Sequence, residues 1–200
     1  MWEPVNHPYL QNIVDNEVDP AGYSLLLEQE PEAEKWILGN PDAFCNSSDI
    51  KVLSQVLNDY DQETMDFFRW EIQYSQKDLS DLVKKRTGID FGNIVDLVPV
   101  ERGTSGRLIK LKITGDKKTL TIGKELEIRK ALSDSHLYSS AFVVEKKEDN
   151  GELTFILHGA GWGHGVGLCQ IGAAVMGEKG YNYEEILMHY FRGAGLEKRY

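Results

Sequence analysis

The sequence predicts an α+β fold made mainly of antiparallel strands, with short helices at their flanks. Three observations predict it. Short runs that alternate apolar and polar residues recur from residue 68 onward. Tight-turn signals, such as EDNG at 148–151, separate successive runs and favour hairpins. Helical patterns are fewer than strands and run for only a few turns, as when helices flank an antiparallel sheet.

At the start of the chain, residues 1–30 are acidic and weakly periodic and read as an arm or loop with short helices; Trp2, Tyr9 and Leu10 read as ready for burial. In PEAEKWILGNPDAFCNSS, Gly39, Asn40 and Pro41 make a turn. FFRWEIQY alternates, placing Phe68, Trp70, Ile72 and Tyr74 on one face of a strand. Ser75 caps the next helix, with Asp78 three residues on. Leu79, Leu82 and Val83 form its apolar stripe and Gly88 ends it.

NIVDLVPVER and GRLIKLKIT are strands, the second with Ile109, Leu111 and Ile113 facing in and Lys110 and Lys112 facing out. Asp116 turns the chain into KTLTIG, and KELEIRKALS is a short helix. SSAFVVEKK and ELTFILHG form a hairpin around EDNG. Residues 169–179 and 183–191 are helical, the latter with Tyr183, Ile186, Leu187 and Tyr190 on one face. The organisation is an N-terminal arm, 1–65, and a core, 66–200.

Composition narrows the function. The 200 residues carry a net charge of −10. Nucleic acid and anionic lipid both call for a basic footprint, so neither is an expected partner. No run of about eighteen apolar residues is present, so no membrane span is expected. The opening MWEPVNHPYL has neither a basic start nor an apolar stretch, so no signal peptide is expected in it. Cys45 and Cys169 lie far apart and do not form a metal-type pair by spacing; two buried thiols, or a disulfide in an exported protein, are the readings.

One stretch stands apart. GAGWGHGVGLCQIGA, residues 159–173, contains six glycines among Trp162, His164, Cys169 and Gln170. Glycine is entropically costly and is kept where φ is positive or where a group must approach the backbone. A phosphate loop fits poorly, since the glycines alternate and no Lys-Ser/Thr pair follows. Zinc on His158 and His164 lacks a third ligand at local spacing. Cys169 as a nucleophile with His164 as base is chemically open, against inert packing. A tight strand-to-helix turn explains the glycines but not Trp162, His164 and Gln170 together. An aromatic face with small polar donors beside accessible backbone suits a carbohydrate or peptide groove.

Two further segments carry polar groups. In GTSGRLIKL, Arg107 is either a surface arginine after a turn or a fork of donors for a carboxylate or hydroxyl. His136, Tyr138, Ser139 and Ser140 lead into an apolar strand and read as structural.

From Gly161 to Leu196 the chain closely resembles the C-terminal signature of the sporulation stage II protein D / LytB (amidase enhancer) family, in the C-terminal part of the SpoIID domain. The resemblance rests on Trp162, Gly163, His164, Gly165, Val166, Gly167, Gln170, Gly172, Ala173, Met176 and Gly180. It continues through Tyr183, Ile186, Leu187, His189, Tyr190 and Gly193. The SGR segment, the LEIRKALS helix and the SSAF strand start fall in the right order.

The resemblance implies an exported, extracytoplasmic protein acting on peptidoglycan glycan strands, with a cell-wall amidase as a further partner. It implies part of a lytic transglycosylase, in which one carboxylic acid protonates the glycosidic oxygen and then helps the C6 hydroxyl close a 1,6-anhydro ring. The alternatives are a non-catalytic glycan-binding module and an amidase enhancer. Trp162, His164, Gln170, Ser105 and Arg107 are the expected groove residues. His164 and Gln170 would bond sugar hydroxyl or acetamido groups, Trp162 would stack or brace, and Arg107 would hold a lactyl carboxylate or orient an acid. No cofactor and no metal are expected.

Departures from the family pattern are specific. The segment bearing the family's proposed catalytic glutamate does not occur in these 200 residues, nor does a Cys/His metal-binding segment found in some members. Cys169 stands where serine is usual and Ile171 where an aromatic is usual. Glu125, Glu127, Glu184 and Glu185 read as solvated charges on helices, so no catalytic residue is assigned.

Overall fold

A computed structural model describes residues 7–56 and 67–199. Trp2 lies outside the described residues. Among them the chain forms six helices and two three-stranded antiparallel sheets. The α+β class is therefore the one expected. No described helix is long and apolar enough to cross a membrane.

The chain divides into two compact units. One holds Tyr23–Asn40 and Asp66–Gly165; the other holds Met1–Gly22, Pro41–Met65 and Val166–Tyr200.

The first of these contains both sheets. Helix α1 (Glu30–Leu38) starts at a proline-bearing first turn, where the missing N–H costs nothing. Strand β1 (Arg69–Ser75) feeds helix α3 (Gln76–Thr87), and Ser75 Oγ accepts the Asp78 N–H at 3.1 Å as its cap. Gly88, at φ 72°, closes that helix. Strands β2 (Ile94–Arg102), β3 (Leu108–Gly115) and β4 (Thr119–Gly123) form one meander. Helix α4 (Glu125–Ala131) then leads to the hairpin of β5 (Phe142–Asp149) and β6 (Glu152–Ala160). β6 is the central strand of the other sheet, ordered β1-β6-β5.

Leu79 and Val83 of α3 and Ile128 of α4 pack with Leu111 and Ile113 of β3 and Phe142, Phe155 and Leu157 of the hairpin. Leu82, expected in the α3 stripe, is only half-buried. Burial of such apolar area, at about 25 cal/mol per Å², is the main stabilising term. A buried cation is also built in. Arg102 donates to both carboxylate oxygens of Glu30 at 2.6 Å, and to the carbonyls of Gly106 and Phe142. Ser139 and Ser140 are buried and donate to the Ala160 and Leu108 carbonyls, a structural use.

Several expectations need correction. Ile109 is exposed and Leu108 buried, because register shifts beside Glu101 place a bulge opposite this end of β3 and break the alternation. Phe68 precedes β1, and Phe67 is the residue that is buried there. Residues 7–29 contain no helix. Tyr9 is 41% exposed, and Leu10 is half-buried.

The second unit holds α2 (Ile50–Val56), α5 (Gln170–Glu178) and α6 (Tyr183–Tyr190). Asn182 and Glu185 form a capping box that starts α6. Phe44, Met176 and Tyr190 make a small core with Ile13, Leu168 and Ile186 against it. Tyr183, expected on the apolar face of α6, is exposed.

Candidate functional site

Strand β6 runs directly into the glycine stretch, and its last residues already need close packing. A Cβ on Gly159 would stand 2.0 Å from the Trp70 indole, so only glycine lets that ring lie against the strand. Trp70 Nε1 then donates to the Gly161 carbonyl at 3.1 Å. The backbone N–H groups of Gly161 and Gly163 are taken by the Phe68 and Tyr138 carbonyls.

Beyond this point φ alternates in sign along the chain. Gly161, Gly163, Gly165 and Gly167 all have φ between 68° and 81°. Trp162, His164 and Val166 fall between them with negative φ. The alternation throws the two ring-bearing side chains outward around a tight backbone.

Arg107, entering β3, braces this loop from beneath. Its Nε donates to the Gly163 carbonyl at 2.8 Å. A Cβ on Gly165 would meet its Nη1 at 2.2 Å. Ser105, in the β2–β3 connection, offers its carbonyl to Arg107 Nη1 at 3.4 Å.

Trp162 keeps 36% of its surface exposed. It stacks on Phe67 at a centroid distance of 5.0 Å and leans on Tyr138 at 4.9 Å. His164 is exposed on the next outward position. Partial desolvation lowers its pKa, and the Arg107 and Arg129 guanidiniums push the same way, while Glu125 pulls it up. The ring is therefore neutral near pH 7 and offers one donor and one acceptor.

The structure thus groups four of the five expected residues, Trp162, His164, Ser105 and Arg107, in one unit. Gln170 belongs to the other unit, exposed at the first position of α5. Phe67 and Glu125 were missed. Glu125 is no solvated charge: its side chain is 19% exposed and pairs with buried Arg129 at 3.3 Å. It follows Lys124, a non-glycine residue at φ 72°, which is strained backbone. Glu127, Glu184 and Glu185 are exposed, as expected. His158 is held between Glu145, at 2.8 Å, and Glu71, at 3.2 Å.

Cys45 and Cys169, read as two buried thiols or a disulfide, are free, half-buried thiols that the fold brings together. The Cys45 S–H bonds to Cys169, which with burial holds the Cys45 thiol well above its usual range and lowers that of Cys169.

A family described as a domain of unknown function (DUF8618) matches residues 1–167, most of the chain. An uncharacterized protein of Brachyspira hyodysenteriae is 38% identical over 92 residues, 46% of this chain and 23% of the relative. Stage II sporulation protein D of Bacillus amyloliquefaciens is 36% identical over 76 residues, 38% of this chain and 21% of that protein. The amidase enhancer of Bacillus subtilis is 30% identical over 79 residues, 40% and 11% respectively. The matched stretches thus span less than a quarter of each of these relatives.

Proposed function

We propose that this chain, which belongs to the DUF8618 family, contacts the glycan strands of the bacterial cell wall through residues 161–165. The carrying observation is the loop itself: an exposed indole stacked on Phe67, beside an exposed imidazole, on backbone fixed by Arg107. Sugar recognition uses an apolar ring face against C–H groups and a few placed donors and acceptors for hydroxyl and acetamido groups. Trp162 supplies the first and His164 the second. The likeness to proteins named stage II sporulation protein D and amidase enhancer supports a wall-related, extracytoplasmic role.

The reaction we assign is non-hydrolytic strand cleavage, with this chain as part of a lytic transglycosylase of the SpoIID/LytB type. An acid donates its proton to the glycosidic oxygen and the C1–O bond breaks. The resulting carboxylate takes the C6 hydroxyl proton as that oxygen bonds to C1, giving a 1,6-anhydro end. Neutral His164 and the Arg107-braced loop position the sugar for this step.

The test is digestion of purified, peptide-free glycan strands by the chain and by a version extended upstream in its gene, read by mass spectrometry. Anhydro ends from either support the reaction. Binding without cleavage by both favours the second reading, a glycan-binding enhancer of an amidase, which the Bacillus subtilis relative's name suggests. Neither binding nor cleavage refutes both.

A further inference from the structure

The unit containing α2, α5 and α6 carries a cluster that glycan contact leaves unused. Four separate segments supply it. Asp15 comes from the N-terminal stretch and Cys45 from the segment before α2. Cys169 is the N-cap of α5, and His189 sits in the last turn of α6. One ligand atom from each of Asp15, Cys45 and Cys169 lies within 4.8 Å of the others. His189 Nε2 stands 3.6 Å from Asp15 Oδ1.

Two of these atoms are unsatisfied. Asp15 Oδ2 and His189 Nε2 are buried with no hydrogen-bond partner. A buried polar atom left without a partner is costly unless something binds it. The rest of the cluster is held in place. Tyr190 donates to Asp15 Oδ1 at 2.6 Å. The His189 ring packs edge-on against Phe44 and Tyr190. Gly172 makes room for the carboxylate, since a Cβ there would lie 2.7 Å from Asp15 Oδ2.

We propose that Asp15, Cys45, Cys169 and His189 bind one zinc-class divalent cation. Two thiolates and an imidazole select a borderline-soft ion and disfavour magnesium and calcium, which take oxygen ligands. Tetrahedral bonds of about 2.0–2.3 Å set neighbouring ligand atoms about 3.3–3.8 Å apart. The His189–Asp15 separation falls in that range; Asp15, Cys45 and Cys169 lie within 4.8 Å of one another, so side-chain rotation has to draw the four ligand atoms in around the ion. On binding, each thiol loses its proton to solvent, and the carboxylate and the imidazole ligate in their unprotonated forms. The ion ties four segments around a small apolar core, which makes its role structural. Local spacing could not show this site, because its ligands are spread from residue 15 to residue 189.

The deciding experiment is a cobalt(II) titration of the reduced full chain, followed by absorbance. Expected are one bound ion per chain, intense visible bands of tetrahedral cobalt, a near-ultraviolet thiolate-to-cobalt band, and displacement by zinc. Zinc should raise the melting temperature, and EDTA should reverse the rise. Cys169→Ser should weaken zinc by about tenfold or more and shrink the thiolate band. His189→Ala should weaken zinc similarly while the thiolate band persists. Circular dichroism separates loss of ligand from loss of fold. The proposal is overturned if the reduced wild-type chain shows no thiolate band. It is also overturned if the Cys45→Ser/Cys169→Ser double variant binds zinc as tightly as the wild type. A Cys45–Cys169 disulfide in the isolated chain, with no metal taken up after reduction, would replace it.

Discussion

The guanidinium of Arg107 sits directly beneath Gly165, on the space a β-carbon would need, while its Nε holds the Gly163 carbonyl at 2.8 Å. Loop and arginine are therefore one unit of structure. Gly165→Ala adds both a clash and a left-handed backbone, worth about 1–2 kcal/mol for an L residue. The expected result is a destabilised chain with a displaced loop. Urea denaturation checks the first, and hydrogen exchange at residues 161–166 checks the second. An unchanged exchange pattern would show that Arg107 does not fix the loop.

Arg107→Lys keeps the charge and removes the planar fork. The loss of a charged hydrogen bond is worth about 1.5–3 kcal/mol. Glycan affinity should fall while the secondary structure remains, as read by pull-down on peptide-free strands and circular dichroism. If affinity holds, the arginine does not shape the glycan surface.

Trp162 and Phe67 are a stacked pair, and an aromatic pair contributes about 0.5–1.5 kcal/mol beyond area burial. Trp162→Ala should cost more than that range, because the buried area of the indole is lost as well, and should abolish glycan retention. Phe67→Leu should cost stability and leave retention partly intact, because the indole survives. Equal loss of retention in both variants would make Trp162 a brace only.

Much of the scaffold was legible because it obeys local rules. Ser75 and Gly88 bound α3 through cap geometry, and EDNG gives a turn with Asn150 and Gly151 both at positive φ. What failed was non-local. The bulge beside Glu101 that turns Ile109 outward depends on the partner strand. Glu125 looked solvated because nothing near it in sequence shows that Arg129 is buried beneath. The site was half legible: alternating glycines marked the loop, but its aromatic support, Phe67, comes from 95 positions upstream of Trp162.

The lowered His164 pKa has a defined sign. The folded state favours neutral imidazole, chiefly through desolvation, with Arg107 and Arg129 adding to it and Glu125 opposing. This stability is fully present above the unfolded value of about 6.5 and is lost as pH falls from there through the folded value. An NMR titration of the imidazole should give a midpoint below 6.5, and His164→Gln should flatten stability over that window. A midpoint above 6.5 would mean that Glu125 wins over desolvation.

Arg102 tests how far the first unit depends on a buried charge. Its side chain is 1% exposed and spends all three nitrogens on Glu30 and two carbonyls. Removing one partner of a buried pair costs about 3–5 kcal/mol, but Glu30 is 45% exposed and its loss lets water in. Glu30→Gln should therefore cost about 1.5–3 kcal/mol. Arg102→Ala should cost more, since it strands the Gly106 and Phe142 carbonyls and opens a cavity. Arg102→Met fills the cavity but still strands the carbonyls, so it should fall between the two. Urea midpoints rank the three variants. If Arg102→Met matches the wild type, packing rather than hydrogen bonding is what Arg102 supplies.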